Sequence, residues 1–283
     1  MAAAVTHRAG CAALVVAWIA RRDGWPTVLG FSIGTLAAIL LVYEVLGWAA
    51  LPRGVADRGP SIGVRIVQHY DFIGVAARDP SLRFDDIRAY NPATEALIRT
   101  HGAAVYSPER VDYIDLDPQV GFAFWRLPSK VVDRQWRRIM QEHTGVYLAH
   151  RLDVFRWVFM TPKIDSCLPL YVGVSGTPKL LTELRLSGGV DTADLSLRNY
   201  GTWFLDIPVF SHVTYAVLAL LVCGLLLVRR DPQDFAIIGL MISAIGFTAG
   251  FLLIGIACDY RYLYFLDLAA MAQIAQRLPL ESS

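Results

Sequence analysis

Two long apolar runs, Pro208 to Val228 and Phe235 to Cys258, are separated only by the turn Arg229-Arg230-Asp231-Pro232. Each holds roughly 20 residues or more, enough for a helix rising ~1.5 Å per residue to cross a hydrocarbon core ~30 Å thick. This pair predicts an integral membrane protein whose chain doubles back through the bilayer. A third run, Leu263 to Ala275, follows the charged aromatic cluster Asp259-Tyr260-Arg261-Tyr262-Leu263-Tyr264, which falls where one helix leaves the bilayer and the next enters. Asp267, one to two turns deeper, is expected to pair with a polar group in the bundle.

Of the 283 residues, 55% are hydrophobic and 18% charged, against about a quarter charged in a soluble domain. The apolar residues gather at the two ends, and the middle mixes Asp, Arg, Pro and aromatics as a water-facing region does. The expected fold is therefore mainly α: three to four membrane helices with a mostly helical extracytoplasmic domain inserted between them. Its parts are a membrane segment at residues 1–51, a domain at 52–206, and closing helices with a short cytoplasmic tail at 207–283. Net charge is +1 and no basic stripe is interleaved with aromatics, which excludes nucleic acid as a partner.

Near the N-terminus, Gly10 to Ala20 is too short to span, whereas Thr27 to Leu51, flanked by Trp25 and Trp48, is long enough; Glu44 lies in its last third. Arg21-Arg22-Asp23 and Arg229-Arg230-Asp231 repeat one plan of helix, basic turn, helix. Basic residues in short loops stay in the cytoplasm, so both turns point inward and the middle region outward. Of the cysteines Cys11, Cys167, Cys223 and Cys258, only Cys167 lies in the water-facing region. No disulfide within that region is expected, and the isolated thiol leaves the compartment open.

Inside the middle region, Ser61 to Ala77 mixes helical and alternating periods and reads as helix. Asn91-Pro92 starts another helix, continuing through Ala93 to Thr100, and Tyr106 to Pro118 reads as loop. Ser129 is a predicted N-cap for a helix with Val132, Trp136, Ile139 and Met140 on its apolar side. A glycine turn at Gly145 joins it to Val146–Met160, with Leu148, Leu152, Phe155 and Phe159 at helical spacing. The two make an αα-hairpin that could equally lie on a membrane surface. Leu168 to Val174 is strand-like, and Asp194 to Phe204 is helical. Gly246 and Gly250 are in small-xxx-small register, suited to close packing in a larger bundle.

Several constellations invite chemistry. At the outer interface, Arg261 with Asp259, Tyr262 and Tyr264 suits a lipid phosphate, although interfacial anchoring explains the same residues. Gln68, His69 and Asp71 form a polar knot in an apolar segment: Asp71 beside a histidine can act as a general base, or be a hydrogen-bonded structural acid. His143, His150 and Asp153 have helical spacing for a metal, but Gly145 breaks the face. Lys130, Arg134, Arg137 and Arg138 form a basic face fit for anionic head groups or for solvent. Asp85-Asp86 and Asp115/Asp117 could hold a divalent cation, though no metal or other cofactor is required. Ser175 lacks the strand-turn-helix context of a hydrolase nucleophile.

Gln68-His69-Tyr70-Asp71, then Tyr147-Leu148-Ala149-His150-Arg151 and Phe155-Arg156-Trp157, then Asp259 to Tyr264, together resemble the C-terminal half of bacterial GT-C class membrane glycosyltransferases and the related O-antigen glucosyltransferases. The likeness covers most of residues 27–275. It implies a multi-pass protein of the bacterial inner membrane, active in envelope polysaccharide assembly on a polyprenyl-phosphate-linked sugar. Such proteins place a catalytic acid in the first outer loop of eight or more helices, a half this chain lacks. That acid transfers to no residue here, so either the chain is an incomplete member or catalysis depends on residues the resemblance does not mark. The resemblance then leaves Asp71 and His69 as catalytic candidates and Arg261, Tyr262, Asp259, Tyr264 and Gln68 as substrate contacts. The alternative is a noncatalytic subunit that scaffolds a membrane partner or presents it through the outer domain.

Overall fold

The computed structural model describes residues 62–277, apart from Leu168, Arg230, Pro232 and Gln233. The runs at Gly10–Ala20 and Thr27–Leu51, their basic turn, Glu44 and Cys11 lie outside the described residues. Among the described residues the chain is mainly helical and has no β-strand.

Helix α1 (Ile62–Arg78) runs through the centre of the domain. Every residue from Gln68 to Ala76 is buried, so apolar groups are needed all round the helix. This explains why the sequence periods looked mixed. Short helices α2 (Asp85–Tyr90) and α3 (Pro92–Leu97) follow, the second capped by the Asn91 side chain accepting from Ala93 and Thr94 and then loosening into a π turn at Ile98–Gly102. The expected loop is only partly loop: Val111–Leu116 forms a 3₁₀ turn, and Asp117 then caps α4 (Pro118–Trp125).

Helices α5 (Ser129–Glu142) and α6 (Thr144–Met160) form the expected hairpin, joined at His143 rather than at Gly145. Pro128, not Ser129, occupies the N-cap. The Ser129 hydroxyl instead accepts a bond from Arg65 at 3.2 Å, and Arg65 also donates to the Leu127 carbonyl at 2.9 Å. Helix α5 buries Val132 and Ile139 as expected. In α6 the expected face is reversed. Leu148 and Leu152 are exposed, while Tyr147, His150, Arg151, Val154 and Val158 are buried. Residues 169–174 form no strand, only a single bridge from Val174 to Gly189; Leu168 lies outside the described residues. Helices α7 (Pro178–Glu183) and α8 (Thr192–Thr202) lead on, α8 opened by a reciprocal Asp191–Asp194 capping box.

After a 3₁₀ turn at Pro208–Phe210 come α9 (His212–Arg229), α10 (Phe235–Ile254) and α11 (Tyr264–Arg277), which pack on one another. Two segments, His212–Arg229 and Ile237–Ile254, are long and apolar enough to cross a membrane. Only 28% of each segment is buried, whereas the core helix of a soluble protein would be mostly enclosed. Leu220, Leu221, Leu225 and Val228 face outward. The paired glycines find no close neighbour: a Cβ at Gly246 or Gly250 would meet nothing within 4 Å among the described residues. The tight position is instead Gly255, where a Cβ would come within 2.6 Å of the Phe251 carbonyl at the end of α10, with Val154 and Val158 of α6 at ordinary contact distance.

The domain core joins Phe72, Ile73, Phe84, Phe124 and Ile139, and it takes in Leu263 from beyond α10. Phe159 touches this core and also the packing between α9, α10 and α11, so domain and membrane-length helices share one continuous apolar interior. Gly74 sets the α1–α6 spacing, because a methyl there would run into the His150 ring. Gly74→Ala is expected to destabilise the protein by about 1–3 kcal/mol through overpacking, measured as a lowered thermal midpoint of tryptophan fluorescence in detergent.

Candidate functional site

Two polar clusters border the joint between domain and membrane-length helices. In the first, Asp71 is fully buried on α1. Trp136 Nε1–H donates to its Oδ2 at 2.6 Å, while Arg151 Nη2 and His150 Nε2 lie 2.7 and 3.0 Å from Oδ1. Burial is the largest influence on His150 and lowers its pKa in spite of the acid. A neutral ring facing a carboxylate carries its proton on Nε2, so Nδ1 accepts from the Tyr106 hydroxyl at 2.9 Å. Arg151 also donates to the Gly255 carbonyl at 2.9 Å, carrying the network to the C-terminal end of α10.

His69, two residues before Asp71, points elsewhere. It stacks on Phe124 at 4.4 Å and lines a cavity of about 250 Å³ with Val111, Asp112 and Trp125. Its buried Nε2 has no hydrogen-bond partner. Desolvation, then the Arg65 charge, push the imidazole down to about 3. Gln68 donates to Asp133 at 2.8 Å and belongs to the α1–α5 contact.

The second cluster sits at the entrance to α9 and α11. His212 Nδ1 lies 3.0 Å from both oxygens of Asp267, and Tyr260 donates to Asp267 Oδ2 at 2.6 Å while stacking on His212 at 4.2 Å. The polar partner expected for Asp267 is thus this pair. Burial is the largest cause raising the Tyr260 pKa, so its hydroxyl keeps its proton as a donor. Above lies a cleft of about 460 Å³ lined by Pro169, Tyr171, Asp259, Tyr260, Arg261 and Tyr264. Asp259 accepts from the Arg261 side chain at 2.8 Å, yet that side chain is 77% exposed and keeps donors for an incoming anion. Tyr262 stacks on Phe251 at 5.5 Å, outside the cleft.

Of the seven predicted site residues, the structure therefore brings Asp259, Arg261 and Tyr264 together. It leaves Gln68, Asp71 and Tyr262 in packing roles and sets His69 on a separate wall. What assembles the cleft is a disulfide, Cys167–Cys258, which places Pro169 and Tyr171 against Asp259 and Arg261. The sequence reading missed it by running the apolar segment through Cys258. Helix α10 ends at Ile254, and Cys258 turns back to donate its N–H to the Glu109 carbonyl at 2.9 Å, beside the Val111 bond to Ile256 at 2.7 Å.

Several of the other candidates are held in ion pairs. Arg138 lies 3.4 Å from Asp86 and 3.8 Å from Asp85, and Arg134 lies 3.8 Å from Asp86, so the basic face and the acid pair serve each other. Asp153 pairs with Arg78 and Asp117 lies 2.9 Å from His101. No group of three or more metal-ligating side chains occurs among the described residues. The chain matches no protein family, no curated protein and no solved structure.

Arg151→Met strands Asp71 in the interior and is expected to cost about 3–5 kcal/mol, with part recovered by adding Asp71→Asn, read by thermal unfolding. Between pH 6.5 and about 3 the unfolded chain binds a proton at His69 that the folded chain refuses. Stability therefore falls as pH drops through that window, by up to about 1.4 kcal/mol per unit. His69→Phe is expected to flatten that part of the unfolding profile, leaving the parallel contribution of His150.

Proposed function

We propose that this chain is a membrane-anchored protein of envelope glycan assembly that binds a polyprenyl-phosphate-linked sugar in the cleft around Arg261. In this reading α9 and α10 cross the bacterial inner membrane and the helical domain stands outside it. The observation that carries the reading is the Cys167–Cys258 disulfide at the edge of the cleft. Disulfides persist in oxidising compartments, and this one lies beyond the C-terminal end of α10. At the opposite end of α9 stands the Arg229 turn, which basic-residue asymmetry assigns to the cytoplasm. Both signals support one sidedness, in which the cleft faces the outer leaflet and its lipid phosphates.

Arg261 supplies the charge and planar donors a phosphate requires, and Tyr171 and Tyr264 supply flat apolar walls that suit an isoprenoid or sugar ring. Sugar transfer itself requires a base with access to an acceptor hydroxyl. Asp71 is enclosed and ion-paired, which favours the noncatalytic reading in which the protein presents the lipid-linked sugar to a partner subunit. Transfer would have to use the cavity that His69 lines with Asp112, although the buried Nε2 and a pKa pushed down to about 3 make that ring a weak base.

Full-length protein in phosphatidylcholine nanodiscs is expected to bind polyprenyl-phosphate sugar, with Arg261→Ala weakening affinity about ten- to a hundredfold, as for loss of a charged hydrogen bond. Equal affinity of the variant and the parent would overturn the assignment of the cleft. Release of the sugar onto an acceptor, abolished by His69→Ala, would select transfer over presentation.

A further inference from the structure

The chain between the domain and α9 is the most open part of the described structure. From Pro178 to Val209 nearly every residue is exposed, including large apolar ones. In α8 and its extension most of them are ordered: Leu197, Tyr200, Trp203 and the half-buried Phe204 recur at helical spacing on one side, with Leu195 alone on the other. Leu197 is 60% exposed, Tyr200 59% and Trp203 78%. Tyr200 stacks on Trp203 and Phe204 at 6.4 and 5.1 Å, so the rings form one patch. Asp194 and Arg198 fall on another side of the helix. On the side near Asp194, Gly201 is buried against Leu170, where a Cβ would come within 2.6 Å of the leucine.

We propose that α8 is an interfacial helix whose Leu197–Tyr200–Trp203 face lies in the head-group region of the bilayer that α9 enters. The inference rests on the reading that α9 crosses the membrane. Chain continuity names the occupant. The patch ends at Phe204, and by Val209 the connector is already fastened to the first turn of α9, where the Tyr215 hydroxyl donates to the Val209 carbonyl at 2.9 Å. A patch tied so closely to the entrance of a span lies at the depth where tryptophan and tyrosine belts sit. Large apolar and aromatic groups on one face with charge on another are what an in-plane helix requires. The contact also bears on the cleft, because Leu170, which seats α8, lies between Pro169 and Tyr171 of the cleft wall. Lipid contact at α8 thereby holds that wall in place.

Spin labels on the full-length protein in phosphatidylcholine–phosphatidylglycerol vesicles test this. Cys11→Ala and Cys223→Ala form the background, with the disulfide kept. Labels at Leu197→Cys and Tyr200→Cys are expected to collide more often with oxygen than with a nickel chelate, and the order is expected to reverse at Asp194→Cys and Arg198→Cys. Nickel-dominated collisions at all four positions would overturn the proposal. So would low collision with both reagents at 197 and 200, which marks a face covered by protein. Leu221→Cys in α9 separates the two readings: oxygen-dominated collision there alongside failure at 197 and 200 removes the interfacial helix alone, whereas nickel-dominated collision at 221 removes the membrane span beneath it.

Discussion

The structure depends on the placement of the Arg151 guanidinium. One of its nitrogens lies 2.7 Å from Asp71 in the middle of the domain, and another reaches the Gly255 carbonyl at the end of α10. A charge with no exposed surface is held at a large desolvation cost and persists only when its donors meet acceptors. The carboxylate and the carbonyl come from segments distant in sequence, so neither can move without exposing the other's partner. The terminal carbonyls of a helix are left without intrahelical partners, and the guanidinium takes one at the point where α10 stops. Removal of Arg151 would therefore loosen two structures at once, the domain interior and the exit of the membrane-length helix.

Around this bond the joint is built in layers. Val111 and Glu109 pair with the returning chain at Ile256 and Cys258, and the disulfide closes the outer edge. Each of these layers is a main-chain or covalent contact, which fixes direction better than apolar packing does. Asp259, Arg261 and Tyr264 follow directly, so the cleft inherits its shape from the joint. The Asp267–His212–Tyr260 group beneath does similar work for α9 and α11, since a buried acid flanked by two ring donors sets how the two helices meet.

Much of this was legible in the sequence, and what was missed has a common cause. The turn between α9 and α10, the helix from Asn91, the hairpin of α5 and α6 and the partnered state of Asp267 all follow from local signals: apolar length, capping residues and a lone acid in an apolar run. In α6, periodicity grouped Leu148 and Leu152 with Phe155 and Phe159 on one apolar face, but the buried acid on α1 draws His150 and Arg151 inward and leaves those leucines exposed. No local rule holds that information, because it lies in a residue about eighty positions away. Cys258 was taken for membrane because hydropathy continues past Ile254, while the helix ends at Gly255, where a Cβ would press on the Phe251 carbonyl. The cleft residues nearest in sequence, Asp259 to Tyr264, were found, and the wall from Pro169 and Tyr171 was not, since only the disulfide brings it there.

These misses bear on how the polar residues divide their work. A buried ionisable group selects one arrangement by the cost of leaving it unpaired, and Asp71 and Asp267 are both used in that way, with every oxygen facing a donor. Arg261 differs, being in an ion pair yet mostly open to solvent, where a single exposed bridge contributes little to stability. The fold therefore gains little from keeping arginine there, which leaves its donors to the ligand proposed for the cleft. His69 is a subtler case, since its buried and unpartnered Nε2 costs free energy that the surrounding rings only partly offset. Asp71, two residues away, has Arg151 and His150 at ion-pair distance, whereas nothing among the described residues reaches the His69 nitrogen, so a donor that met it would improve on the empty protein.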